Sequence, residues 1–299
     1  MTKKTSSTIL LFLASMLWGF AFVAQRMGMD YVGVYTFGAV RFLLGAVILL
    51  PVIALLEKGT PPEKKRGSWQ GGAMAGLALF AAATLQQYGI KLIPVNGAGK
   101  AGFITGIYII LVPLLGLFLK QRTKAWTWIG AVVALGGLYF LSVTDGWGSV
   151  SLGDILTLIG AFFWAIHILT VDRFSGRGSP LRFAAVQFLV CGTLSAVCAL
   201  VLEEISLAGL AQAWLPLGYS VIFCVGFAYS FQAIGQKHVG PGPAAVIFST
   251  EALFSAVGGY FILNETMGGR SLLGCALIFL GILAVNAEAL VGLLRRRRA

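Results

Sequence analysis

Charged residues are scarce in this chain: 11% of its 299 residues are Asp, Glu, Lys or Arg, against roughly 25% in an ordinary soluble domain. A water-soluble fold of this size could not cover its surface with so few, which argues against a soluble enzyme. There are two histidines, and no HExxH, phosphate-cradling GxxxxGK[ST] or GxSxG elbow occurs. A metalloprotease, an ATP-driven pump and an elbow-type serine hydrolase are therefore unsupported. The four cysteines, Cys191, Cys198, Cys224 and Cys275, lie in apolar stretches without CxxC spacing, so neither a disulfide framework nor a zinc site is implied. Gly97, Gly99 and Gly102 satisfy a dinucleotide-type GxGxxG, but no strand pattern precedes them. Their spacing instead lets helices approach, as with Gly102 and Gly106 or Gly72 and Gly76. No catalytic group, cofactor or metal is expected.

What the chain does have is apolar length. Hydrophobic residues make up 58%, in stretches of about 20, the span an α-helix needs to cross a bilayer core. The expected class is an all-α, multi-pass membrane protein. Ten spans are read: Ser7 to Gly28, Val34 to Leu56, Trp69 to Ile93, Gly97 to Leu119, Ala125 to Val143, Leu152 to Asp172, Pro180 to Leu202, Ala213 to His238, Pro241 to Leu263 and Ser271 to Leu294. The breaks fall at Pro61 and Pro62 beside Lys64, Lys65 and Arg66, at Pro94 and Asn96, at Asp145 and Gly146, and at Gly240, Pro241 and Pro243.

The net charge of +11 would point to nucleic acid in a soluble protein. Here the basic residues sort by side instead, which leaves no reason to expect a nucleic-acid partner. Seventeen Lys and Arg, among them Lys3, Lys4, Lys64, Lys65, Arg66, Arg173, Arg177 and the Arg295 to Arg298 tail, fall on the side of the N-terminus; Arg26, Lys91, Lys100 and Arg270 fall on the other. Both termini are therefore expected in the cytoplasm. The first span also has the form of a signal peptide, but it has a counterpart later in the chain, so it is read as retained.

That counterpart belongs to an internal repeat. A shift of 146 residues aligns Trp18 with Trp164, Val40 with Val186, Phe42 with Phe188, Leu56-Glu57 with Leu202-Glu203, Gln86 with Gln232 and Gly89 with Gly235. From the fourth span the shift becomes 144, aligning Gly130 with Gly274 and Gly137 with Gly281. The expected domains are thus residues 1–146 and 147–299, two five-helix repeats, the second inserted upside down relative to the first. Such a repeat is the sequence form of a transporter whose halves rock about a site near the midplane. The same duplication also builds stable bundles in channels and membrane enzymes.

The chain resembles the drug/metabolite transporter superfamily, and within it the EamA-type proteins. The resemblance is carried by Arg41-Phe42-Leu43, by the segment Ala101 to Gly106, by Leu111-Val112-Pro113-Leu114 and by Thr250-Glu251-Ala252-Leu253-Phe254. It implies a ten-helix transporter similar to the YddG-like exporters of amino acids and related metabolites; substrate class and export direction come from it alone. In that family the ninth-span Glu is commonly followed by Pro, whereas Ala252 follows Glu251, so the usual signal for a helix break is missing.

Ionisable groups within spans default to function. Glu251, ten residues past Pro241, lies about 15 Å into the bilayer. It could bind a substrate amine or carry a coupled proton, or be held by a neighbour such as Gln232. Arg41, about 10 Å from the outer surface, could meet a carboxylate, snorkel to headgroups or pin its helix. His167 could relay protons or bond a backbone carbonyl. Trp18 and Trp164 lie near mid-depth, away from the aromatic belts, and are expected to face each other across the repeat axis. Gln86, Tyr88, Thr105, Tyr108, Tyr229 and Gln232 could complete the cavity or hydrogen-bond between helices.

The residues together point to a secondary transporter of small organic metabolites, most directly amino acids, working by alternating access in the bacterial inner membrane. Its expected partners are a small-molecule substrate and the lipid bilayer. The rivals are a passive uniporter or channel-like facilitator and, less well supported, a membrane enzyme or assembly factor. Glycine faces serve packing within one chain or between two, which leaves a homodimer open.

Overall fold

The computed structural model describes residues 3–59, 61–93, 97–121, 123–142, 151–265 and 268–285. Among them every regular element is helical and no strand occurs, as hydrocarbon demands: only a helix satisfies each backbone N–H and C=O within its own segment. Eight helical stretches are long and apolar enough to cross a membrane, and two shorter apolar helices cover Ala125–Phe140 and Leu272–Val285. The expected breaks at Pro94, Asn96, Asp145 and Gly146, the division at residue 146, and the Arg295 to Arg298 tail lie outside the described residues.

In chain order the helices are α1 (Lys3–Gly28), α2 (Val34–Leu56), α3 (Pro62–Leu92), α4 (Gly97–Gly106), α5 (Tyr108–Phe118), α6 (Ala125–Ser142), α7 (Leu152–Ser175) and α8 (Pro180–Leu202). There follow α9 (Leu207–Gln212), α10 (Trp214–Tyr219), a π-helical segment (Ser220–Ala228), α11 (Tyr229–Gly235), α12 (Pro241–Phe248), α13 (Thr250–Ile262) and α14 (Gly269–Val285). Two expected spans are each interrupted, the fourth at Ile107 and the ninth at Ser249.

Some helix bounds follow the shifts found in the sequence. Adding 146 to the bounds of α2 gives those of α8, and adding 144 to the end of α5 gives the end of α13. Two residues past those ends stand the positive-φ, non-glycine residues, Lys120 at 58° and Asn264 at 56°, each reversing the chain with a single left-handed residue.

The two copies also hold each other. Glu203, just past α8, accepts the Tyr35 and Thr36 backbone N–H groups at 2.9 and 2.8 Å and the Thr36 hydroxyl at 2.7 Å, satisfying orphan donors at the start of α2. Its repeat counterpart Glu57, just past α2, accepts the hydroxyl of Ser179, the N-cap of α8, and meets Arg182 Nε at 2.9 Å. The helices therefore run antiparallel, the end of each seated at the start of the other. On another flank α6 and α14 cross where a Cβ on Gly130 or Gly281 would stand 2.6 Å from the other's carbonyl oxygen, as would one on Gly137 from that of Gly274. Only a missing Cβ permits that approach.

Glu265, between α13 and α14, accepts the Ala98 and Gly99 N–H groups at 3.3 Å, at the start of α4. Burial raises its pKa, against the pull of those two N–H groups and of Arg26. The folded chain thus holds that proton more tightly than the unfolded one, so this carboxyl's contribution falls as pH rises from about 4.5 through the raised value. Thermal melts in detergent across that range should show the slope in the native protein and a flatter profile in Glu265→Gln. The same melts should place Glu203→Ala about 1–2 kcal/mol below the native protein, the cost of a lost helix cap; an unchanged melt would remove Glu203 from that role.

Candidate functional site

The helix interruptions create the site. At Ser249 the carbonyls freed between α12 and α13 are taken up by hydroxyls: Ser249 Oγ donates to Val246 O, and Thr250 Oγ1 to Ile247 O, both at 2.7 Å. Ser15 Oγ from α1 donates to Phe248 O at 3.0 Å and lies 2.6 Å from Thr250 Oγ1. Ser and Thr hydroxyls thus satisfy the interruption from within, and the helix breaks beside Glu251 although no proline follows it. The break puts Glu251 in the first turn of α13, where the helix dipole favours a carboxylate. Tyr108 opens α5 at the other interruption, and its hydroxyl donates to Glu251 Oε1 at 2.8 Å.

Around this pair lies a cavity whose empty space, counted out through its opening, is about 470 Å³. Its frame is aromatic. Trp18 and Trp164 were expected to face each other; both pack on Tyr229, Trp18 meeting its ring edge-on at 4.9 Å and Trp164 stacking on it at 6.4 Å. Phe248 closes against Trp18 at 5.2 Å. Tyr229 stands where the π-helical segment returns to α-helix, and that segment also delivers Cys224 to the wall. Gln86 and its repeat counterpart Gln232 line the cavity as well.

Arg41 lines it from α2. It does not snorkel: it is 4% exposed, its guanidinium lying 4.7 Å over the Phe42 ring and 5.4 Å from that of Phe37. Its Nε has no hydrogen-bond partner among the described residues, and no carboxylate there pairs with it. Glu251 is 5% exposed and likewise has no cationic partner. A guanidinium and a carboxyl group thus share one cavity without meeting.

The remaining expected residues divide. Thr105 supports the wall indirectly, accepting from Gln86 Nε2 at 3.0 Å. His167 is fully buried, its Nε2 3.0 Å from Gln187 Oε1 rather than from a backbone carbonyl, and its ring packs on Trp164 and Tyr229. Tyr88 does not join the cavity; it packs on Tyr35 at 5.6 Å, near the start of α2. Gln25, Phe22, Ile168, Phe248 and Cys224 line the cavity without having been singled out. For Phe22 and Gln25 the signal was there: with Trp18 they follow the i, i+4, i+7 spacing of one helix face, and Trp164 with Ile168 repeats it.

The EamA-like transporter family model matches residues 5–143 and 151–287. The chain belongs to the EamA-like transporter family. An uncharacterized transporter of Archaeoglobus fulgidus is 27% identical over 285 residues, covering 95% of this chain and 87% of that protein. The uncharacterized inner membrane transporter YedA of Escherichia coli is 21% identical over 281 residues, covering 92% and 89%. A solved crystal structure superposes with a TM-score of 0.76 at 22% identity, covering 99% of both chains, which shows a shared fold. The names borne by the family and these relatives are those of transporters rather than of enzymes.

In this family member Tyr229 touches Trp18, Trp164, Phe42, Phe188 and His167. Tyr229→Ala should therefore cost roughly 3–5 kcal/mol, as for other large buried aromatics. Tyr229→Phe keeps the ring and should melt close to the native protein. Equal melting of both variants in detergent would mean that the ring is not the keystone of the frame.

Proposed function

We propose that the protein is a secondary transporter of the bacterial inner membrane that moves amino acids or closely related zwitterionic metabolites by alternating access, in the direction of export. Its ten spans form two inverted five-helix repeats with both termini in the cytoplasm. The matching bounds of α2 and α8, the shared chain reversals at Lys120 and Asn264 and the sorting of Lys and Arg by side support that topology. The printed description of YedA as an inner membrane transporter supports the location, and the family resemblance alone supports export.

The observation that carries the substrate class is that Arg41 and Glu251 line one cavity without pairing. Burying a guanidinium without a counter-ion is costly, and its planar fork suits a carboxylate held by two parallel hydrogen bonds. Glu251, already bonded to Tyr108, offers its other oxygen to an ammonium group. A zwitterion satisfies both at once, and the cavity wall that Trp18, Trp164 and Phe248 help to form suits an apolar side chain. A nucleotide sugar would need several cations for its phosphates, and the cavity has one.

The test is uptake of radiolabelled amino acids into proteoliposomes, with and without an imposed pH gradient. Saturable flux is expected, with Arg41→Gln raising KM roughly tenfold or more, the worth of a charge-assisted hydrogen bond. Concentrative uptake that collapses with the gradient would identify proton coupling, and Glu251→Gln should then abolish the pH dependence while leaving the melting point intact. Saturable downhill flux indifferent to the gradient would identify a uniporter. Absence of flux for every amino acid would overturn the substrate class.

A further inference from the structure

The repeat relates the two walls of the cavity position by position, so departures from the relation are informative. The frame obeys it: Trp18 answers Trp164, Phe22 answers Ile168 and Gln86 answers Gln232, and all six line the cavity. The charges do not. The 146-residue shift carries Arg41 onto Gln187 and Ala21 onto His167. Arg41 and Ala21 line the cavity. Gln187 is turned away, bonded to His167 at 3.0 Å, and both are buried. His167 Nδ1 has no hydrogen-bond partner among the described residues.

The two ends of the cavity are also packed differently. At the Arg41 end α1 lies hard against α13: a Cβ on Gly19 would collide with Phe254 and the Glu251 carbonyl, and one on Gly258 would press on Val23 and Phe20. Ser255 Oγ adds a hydrogen bond to Ala98 O at 2.9 Å, drawing in the start of α4. At the other end the matching pair, α7 and α5, is less extensively packed. Its counterparts of Gly19 and Gly258 are Ala165 and Leu114, and Leu114 is 42% exposed. Of the two, the Arg41 end is the more tightly sealed here.

Resting on the transport reading above, we propose that Arg41 is a one-sided anchor for the substrate carboxylate, present at the cavity in this conformation and replaced there by Gln187 and His167 in the opposite one. In an inverted repeat, opening the more tightly sealed end means that each half takes up the arrangement its partner has now. Gln187 and His167 then take, in the second half, the place that answers the one Arg41 and Ala21 hold in the first. The carboxylate exchanges a permanent cation for an amide and an imidazole, and charge-assisted hydrogen bonds are roughly twice as strong as neutral ones. With the Arg41 end outermost, the tight state loads from the cytoplasm and the weak state releases outward. Such a difference sets the KM at each face; it does not by itself set the final concentration ratio, which needs a coupled gradient.

The experiment is zero-trans flux of L-leucine, measured separately at each face of proteoliposomes sorted for protein orientation. The KM at the cytoplasmic face is expected to be roughly 10- to 100-fold below that at the other. Arg41→Gln should bring the ratio close to one, chiefly by raising the cytoplasmic value, and the exchange Arg41→Gln with Gln187→Arg should invert it. If the exchange variant does not fold, Arg41→Gln decides, its folding checked by thermal melt. L-leucinamide, which lacks the carboxylate, should show a ratio that Arg41→Gln leaves unmoved. Equal KM values at the two faces of the native protein, or an Arg41→Gln effect of the same size on both, would overturn the one-sided anchor while leaving transport standing. Absence of any L-leucine flux would overturn the substrate reading and this proposal together.

Discussion

The interaction on which the site depends is the hydrogen bonding of a broken helix in a medium that supplies no water. A span that stops and restarts frees carbonyls and N–H groups that hydrocarbon cannot satisfy, so the break between α12 and α13 persists only because the Ser15, Ser249 and Thr250 hydroxyls close it from within. Because it persists, Glu251 sits at a helix start within reach of Tyr108. Because α1 supplies Ser15, the same helix is fixed three residues before Trp18, which sets the aromatic wall.

The asymmetry of the cavity follows from where each repeat spends its irregularities. Both copies break their fourth span. Only the second winds a π-helical segment into the span corresponding to α3, and that segment ends at Tyr229, whose counterpart in the first copy is Ala83. One large ring therefore occupies a place that a symmetric pair could not share. The two tryptophans keep the symmetry, and Tyr229 packed on both and Arg41 beside them break it.

Much of this was legible in the residues. The expected limits of the second and seventh spans coincide with α2 and α8, because glycine, serine and proline mark their starts and glutamate their ends. The third span was read from Trp69, whereas α3 begins at Pro62: hydropathy registers the apolar slab, and the Lys64, Lys65 and Arg66 turn is helix lying beyond it. The break at Ser249 was hidden because hydroxyls that satisfy a freed carbonyl look the same in sequence as hydroxyls that do not. Tyr88 was grouped with Gln86, yet residues two apart on a helix are separated by roughly 200° and cannot both face one cavity. Arg41 was open between a headgroup, a helix contact and a ligand; what decides its environment is the pair of rings from Phe37 and Phe42, one of which lies a full turn away.

The reciprocal caps bear on how the chain is made. The start of α2 has its N–H groups satisfied by Glu203, a residue that leaves the ribosome only after the whole first copy and two helices of the second have been synthesised. Until then the first copy holds open donors at that end of α2, in a place shaped to accept a glutamate at the end of an antiparallel helix. The cap at the start of α2 is thus completed only once its own duplicate has been made.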